Sequence, residues 1–286
     1  MSERDAGLKN IKKHMLEILR YSFFQNALWA ILLISLAGAV IGTYVVTRRL
    51  VFITGGITHA SFGGLGLGFF LSLNPVAIAL IFAVLSALGV EWMSRKNSVR
   101  EDSAIAVFWA LGMAVGIIFI FLTPGYTPGL SEFLFGNILT VTHTDLLIFA
   151  LYTSVLFLFF ILFYRQIIYI AFDRDFAYTR RMPVRFFEYG MIFFISICVV
   201  LSIRLVGIML LLSLLTMPQL IADLFCSRYK SIVVFSAVIG IICGLVGLFV
   251  SYYINVPAGA CIVFVLVVFY GLARAIVRIK QPYMVE

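Results

Sequence analysis

The chain has 286 residues, 63% of them hydrophobic and 12% charged, with a formal net charge of +8. A soluble domain carries about 45–50% apolar and about 25% charged residues, so this chain has too little charge to clothe a water-facing surface. That excludes a soluble globular enzyme and, more firmly, a disordered chain.

In chain order, residues 1–20 come first. They hold Arg4, Lys9, Lys12, Lys13 and Arg20, with Leu8, Ile11, Met15 and Leu19 at helical spacing. That pattern predicts an amphipathic arm in a membrane interface rather than a cleavable signal peptide. An apolar run follows over 22–47. Residues 50–90 then contain no Asp, Glu, Lys or Arg across 41 positions. At ~1.5 Å per residue this is roughly 60 Å of helix, enough for two crossings of a ~30 Å hydrocarbon core. Asn74-Pro75 marks the turn between them. Shorter apolar spans cover 103–122, 145–164, 188–203 and 205–223. Residues 231–273 repeat the two-crossing arrangement: 43 uncharged positions with Asn255-Val256-Pro257-Ala258-Gly259 near the centre. The nine segments are continuously apolar and do not alternate with period two. They therefore read as helices and not barrel strands. The expected fold is all-α and polytopic, with eight or nine transmembrane helices.

Charge gives the orientation. If every segment crosses, Arg48, Arg49, Arg95, Lys96, Arg100, Arg165, Arg174, Arg180, Arg181, Arg185, Arg228, Lys230, Arg274, Arg278 and Lys280 share one side, with Arg204 alone opposite. The crowded side is cytoplasmic. The basic arm then faces outward, unless it lies in the interface or one weak segment fails to cross. The net charge is thus a membrane signal, and no basic module for nucleic acid is visible. Cys198, Cys226, Cys243 and Cys261 fall in or beside apolar segments without metal spacing and read as small core residues.

No GxxxxGK[ST], HExxH, GxSxG or paired-carboxylate pattern occurs, which argues for a transport path or scaffold and against an enzyme. His59 is the ionisable group at depth, ten residues or about 15 Å into its segment. Six glycines surround it within Gly55–Gly68. A neutral imidazole there is a candidate ligand for a divalent transition metal. The competing reading is a histidine hydrogen-bonded across a tightly packed helix pair. Gly38/Gly42, Gly64/Gly68, Gly112/Gly116 and Gly240/Gly244 fit small-xxx-small packing.

Phe172, Asp173, Asp175, Phe176 and Pro183 belong to a mixed-charge stretch in which Asp173 can cap a short amphipathic helix that ends before Pro183. Such a helix can dock a soluble partner, or be an ordinary interfacial loop helix. Glu101 and Asp102 open a span, where they favour the helix dipole; an ion-exit role is the alternative. Glu91 and Asp223 read as snorkelling or capping groups. His14 and His143 read as solvated.

Five stretches in order resemble the membrane permease subunit of the zinc/manganese/iron(II) ABC importers. They are Arg48-Arg49 with Thr58-His59-Ala60-Ser61 and Leu73-Asn74-Pro75; Arg100-Glu101-Asp102-Ser103-Ala104-Ile105; Leu134-Phe135-Gly136-Asn137-Ile138-Leu139; Phe172-Asp173 to Pro183-Val184; and Val206-Gly207-Ile208-Met209-Leu210 to Met217-Pro218. The resemblance implies one membrane-embedded permease domain over 1–286, with 1–20 as its arm and 165–187 as a cytoplasmic coupling loop. It implies a homodimer in the inner membrane, a separate ATPase that uses ATP, an external metal-binding protein, and no cofactor bound in this chain. It also implies a metal path near His59. Two positions depart from the family pattern. Gly55 stands where an acid usually sits one turn before the histidine, and Arg181 stands where glycine usually precedes the proline of the coupling loop. Competing readings are an ABC permease for a metal chelate of siderophore or cobalamin type, a non-transporting scaffold or sensor, and an ATP-independent channel.

Overall fold

The computed structural model describes residues 21–96, 99–125, 136 and 138–280. The expected basic arm, 1–20, lies outside them. Among the described residues the fold is all helical. Lipid offers no hydrogen bonds, so a helix, which satisfies its own backbone, is the form these uncharged runs must take.

The helices are α1 (Ser22–Thr47), α2 (Val51–Phe70), α3 (Pro75–Lys96), α4 (Glu101–Leu122), α5 (His143–Leu162), α6 (Tyr164–Phe172), α7 (Arg174–Thr179), α8 (Val184–Leu214), α9 (Met217–Asp223), α10 (Tyr229–Ile254) and α11 (Ala258–Lys280). Seven stretches are long and apolar enough to cross a membrane: α1, α3, α4, α5, α8 with α9, α10 and α11. The protein is a multi-pass membrane protein. The described residues thus hold seven such stretches and not the expected eight or nine independent spans. Helix α2 has the length of a span, but its glycines, Thr54, Thr58, His59 and Ser61 dilute its apolarity, and nearly all of it is buried. The segments expected at 188–203 and 205–223 form one helix broken at Gly207 (φ 78°, ψ 169°), followed by the short α9.

Local chemistry sets the ends. Asn74 Oδ1 accepts from the Val76 and Ala77 amides (3.0 and 3.3 Å), starting α3 at Pro75. Thr142 and Asp145 form a capping box on α5. Asn255 ends α10 in the left-handed region (φ 53°), as a short polar side chain allows. Both expected turns are therefore where the sequence places them.

Two groups of contacts mark opposite ends of the bundle. At one end, Arg48 Nη2 meets Glu188 Oε1 at 2.8 Å, and Lys230 lies 4.8 Å over the Tyr164 ring. At the other, Asn26 Nδ2 donates to the Val141 carbonyl (2.9 Å), Arg204 pairs with Asp145 (3.1 Å), and Phe24 packs on Phe249 (5.5 Å between centroids). Helix α8 runs from the first end to the second, and α10 starts again at the first. The chain makes the return through the broken stretch 207–228.

That break has a cost in an apolar interior, because a helix end leaves carbonyls without donors. Gln219 on α9 meets part of it and ties the break to α1. Its Nε2 donates to the Gly38 carbonyl of α1 (2.8 Å), with a longer contact to the Leu214 carbonyl (3.4 Å) at the end of α8. Gly42 makes room for this: a Cβ there would fall 2.5 Å from both the Gln219 amide nitrogen and the Leu215 carbonyl. The other glycine pairs serve similar approaches. Gly64 and Gly68 admit α3, Gly112 and Gly116 admit α2, and Gly240 and Gly244 admit α1. The close-packing reading of these pairs holds. Of the cysteines, Cys198, Cys243 and Cys261 are buried and Cys226 is partly so; all four are free.

Gln219→Leu keeps the volume but removes the buried hydrogen bond to the Gly38 carbonyl, and is expected to cost about 1 kcal/mol. Gly42→Ala should cost ~1–3 kcal/mol by overpacking. Thermal unfolding of the purified variants in one detergent checks both; Gly271→Ala, whose added methyl meets nothing within 4 Å, is the control.

Candidate functional site

His59 is the ninth residue of the twenty-residue α2, close to mid-height. Its imidazole lies flat on the Trp109 indole of α4, with centroids 4.0 Å apart and planes 9° apart. Its Nδ1 is buried and finds no hydrogen-bond partner among the described residues. Among the described residues the ring is therefore held by stacking, and Nδ1 makes no bond across the helix pair. The nearby hydroxyls turn inward instead. Thr58 and Ser61 each donate to a carbonyl of their own helix at 2.6 Å, to Thr54 and Thr58 respectively.

Gly55 sits one turn before His59 and faces the same indole; a Cβ there would lie 4.0 Å from Trp109 Cζ3. The position therefore has room for a side chain. Trp109 was not legible as a site residue, since nothing in the uncharged run 103–122 sets one aromatic apart from the rest.

Helix α4 carries Glu101 and Asp102 at its start, both exposed, with Arg100 4.0 Å from Asp102. They lie seven to eight residues, roughly 10–12 Å of helix, before Trp109. The structure does not bring them to His59. Among the described residues no three His, Cys, Asp or Glu side chains gather into a metal cluster. The described residues thus gather a single imidazole here, whereas an enclosed zinc site takes four ligands.

At the Arg48 end, the expected coupling loop 165–187 is more ordered than a loop. Helix α6 precedes the expected helix, and α7 spans Arg174–Thr179. Asp173 caps α7, its Oδ1 accepting from the Phe176 amide at 2.9 Å. Phe172, Asp173, Asp175, Phe176 and Pro183 are all exposed, while Ala177 is buried. The Arg180 guanidinium covers the Phe176 ring at 5.4 Å. The result is an apolar and charged knob on a fixed base. Arg181 stands at φ 55°. The backbone thus keeps the left-handed conformation that glycine adopts freely, although the side chain departs from the family pattern.

On the inner side of this knob, Glu188 of α8 binds Arg48 at the end of α1 and Arg174 at the start of α7 (3.0 Å to Oε2). Glu188 too is not legible as a site residue, because an acid close to a span end resembles a surface charge.

The chain matches the model of the ABC 3 transport family over residues 20–276. It belongs to that family. ABC 3 chains are membrane subunits of transport systems and not enzymes. The chain is 38% identical over 265 residues to an uncharacterized membrane protein of Synechocystis sp., covering 92% of this chain and 94% of that one. It is 31% identical over 257 residues to the manganese transport system membrane protein MntC of Halalkalibacterium halodurans, covering 90% and 88%. Among solved structures it is similar to PsaBC from Streptococcus pneumoniae in complex with Fab, with a TM-score of 0.83, 28% identity, and coverage of 92% of this chain and 95% of that one.

The Arg181 geometry yields a test. A β-branched residue at φ 55° is expected to cost about 1–2 kcal/mol more than one that tolerates the left-handed region. Arg181→Val should therefore lower the unfolding temperature of the purified protein, whereas Arg181→Gly should hold it close to the parent.

Proposed function

We propose that this ABC 3 chain is the permease subunit of an ATP-driven importer of a divalent transition metal: manganese, zinc or iron(II). The observation that carries this reading is likeness along nearly the whole chain, both to a manganese transport system membrane protein and to PsaBC. ATP is hydrolysed by a separate ATPase, and an external protein delivers the metal. The chain sits in the inner membrane of a bacterial cell.

The site geometry supports a path built by two copies. Helix α4 is the least buried of the seven candidate spans, and it carries Trp109 against His59. A homodimer that covers this face places a second imidazole opposite the first. The ion then has two protein ligands and keeps some of its own water. Nine passages through the bilayer fit the contacts at the two ends of the bundle, with the broken 207–228 stretch counted as one. Fifteen basic positions then share the cytoplasmic side.

A metal chelate is the second reading. Gly55 favours it, because a chelated ion needs no carboxylate from the protein. A wide path without a ligand cluster serves such a cargo.

The test is uptake of radiolabelled manganese, zinc and iron(II) into proteoliposomes that contain the chain and its ATPase. His59→Ala should lower uptake of the transported ion at least tenfold while the complex still assembles. Uptake equal to the parent removes His59 from the path. Gly55→Asp places a carboxylate one turn from the imidazole, on the same face. It should tighten uptake or change the order of preference among the three ions. An unchanged order with His59→Ala also silent favours the chelate reading, which uptake of a labelled chelate then checks directly.

A further inference from the structure

The coupling surface is wired to the helix that carries His59 through one buried carboxylate. Glu188, 5% exposed, splits its two oxygens between arginines that lie far apart in sequence. Oε1 takes Arg48 Nη2 at 2.8 Å, and Oε2 takes Arg174 Nη2 at 3.0 Å. Arg48 also donates from Nη1 to the Ile170 carbonyl of α6 at 3.1 Å. Four elements thus converge on one charged cluster: α1, α6, α7 and α8.

Arg48 sits on the elbow between α1 and α2. Its own amide ends α1 by donating to the Tyr44 carbonyl (2.9 Å). Arg49 then turns through φ 58°, the Leu50 amide reaches back to the Val45 carbonyl (2.8 Å), and α2 begins at Val51. This elbow has no glycine and is held in a conformation that an arginine adopts at a cost. His59 follows eight residues into α2, roughly 12 Å along its axis. Arg174 is the first residue of α7, directly after the Asp173 cap, and its guanidinium packs 5.6 Å over the Tyr178 ring on the exposed side.

We infer that the Arg48–Glu188–Arg174 cluster is the mechanical link through which a displacement of α7 moves the α1–α2 elbow and so repositions His59. The inference rests on the role that the family resemblance implies for the 165–187 stretch, in which α7 lies, as the element that docks the ATPase. Charge-assisted hydrogen bonds, two of them on one buried carboxylate, resist stretching more than apolar packing does, because packing is non-directional and slides. Pushing α7 toward or away from the membrane therefore pulls on Glu188 and Arg48 together. The surrounding contacts alone would let α7 slip past α1. Glu188 and Arg48 act here as positioning residues: neither touches the transported ion nor ATP.

The experiment uses the whole complex of this chain with its ATPase in proteoliposomes and reads metal ions imported per ATP hydrolysed. Glu188→Gln keeps the shape but removes the charge that both guanidiniums share. The expected result is an assembled complex that hydrolyses ATP while ions imported per ATP fall at least fivefold. Arg174→Gln, on the more exposed partner, should lower the ratio in the same direction, and it serves as the variant if Glu188→Gln does not assemble. Arg174→Lys, which keeps the charge but not the fork, should restore part of the ratio; a purely structural role predicts that ratio to stay constant while yield and unfolding temperature fall. An unchanged ratio in assembled Glu188→Gln or Arg174→Gln overturns the link. A separate arm replaces Tyr178 with Cys and seeks a cross-link to the ATPase beyond the background of the chain's four native cysteines. A cross-link with an unchanged ratio overturns the link and keeps the docking role. No cross-link overturns the docking role and the link with it.

Discussion

Lipid imposes the constraint on which this structure depends: a backbone polar group away from water must be satisfied within the protein. Nearly every feature of the fold is a response to it. The long uncharged runs become helices because no other form closes their hydrogen bonds locally. At three helix starts among the described residues, a side chain supplies the missing partner. Asn74 caps α3, Thr142 with Asp145 caps α5, and Asp173 caps α7. At the break after Gly207, the Gln219 amide donates to a carbonyl of α1 and thereby fixes α9 against it. The same rule explains the charged groups. Among the described residues Arg204, the lone basic residue at its end of the bundle, is paired with Asp145, and the buried Glu188 is held by two arginines.

Much of this was legible in the sequence, for a physical reason. Charge is so scarce that each ionisable residue marks a boundary or a site, and a Pro or Asn within a 41-residue uncharged run has few other roles than a turn. Residues 74–75 and 255–259 were placed correctly on that basis, as was the Asp173 cap. His59 stood out because it lies far from any boundary. Family membership was likewise legible, since it is carried by short motifs in a fixed order and not by periodicity.

What stayed hidden follows from the same chemistry. In an all-apolar segment the 3.6-residue period vanishes, because the face toward lipid is as hydrophobic as the face toward protein. Nothing then distinguishes Trp109 from its neighbours, although it is the residue that holds the His59 ring. Gly207 looks like any other glycine in a packed helix, yet it divides what reads as two spans into one long helix and a broken return. Glu188 carries no mark in the sequence, because its partners come from positions 48 and 174, and pairing over such distances leaves no local pattern. The departures at Gly55 and Arg181 also read differently in three dimensions. The first leaves open space beside an indole, whereas the second alters the side chain and keeps the backbone turn.

Gly136 and Gly207 show how two motifs separated by seventy residues form one object. Gly136, itself at φ 59°, lies so close to the Val206–Gly207 peptide that a methyl on it would overlap the main chain. Neither position has a side chain through which a change at one could be accommodated at the other. Lineages of this chain should therefore drift freely in the apolar residues around the two glycines while keeping both. Their shared retention would record a steric lock between main chains, and would carry no information about which ion is moved.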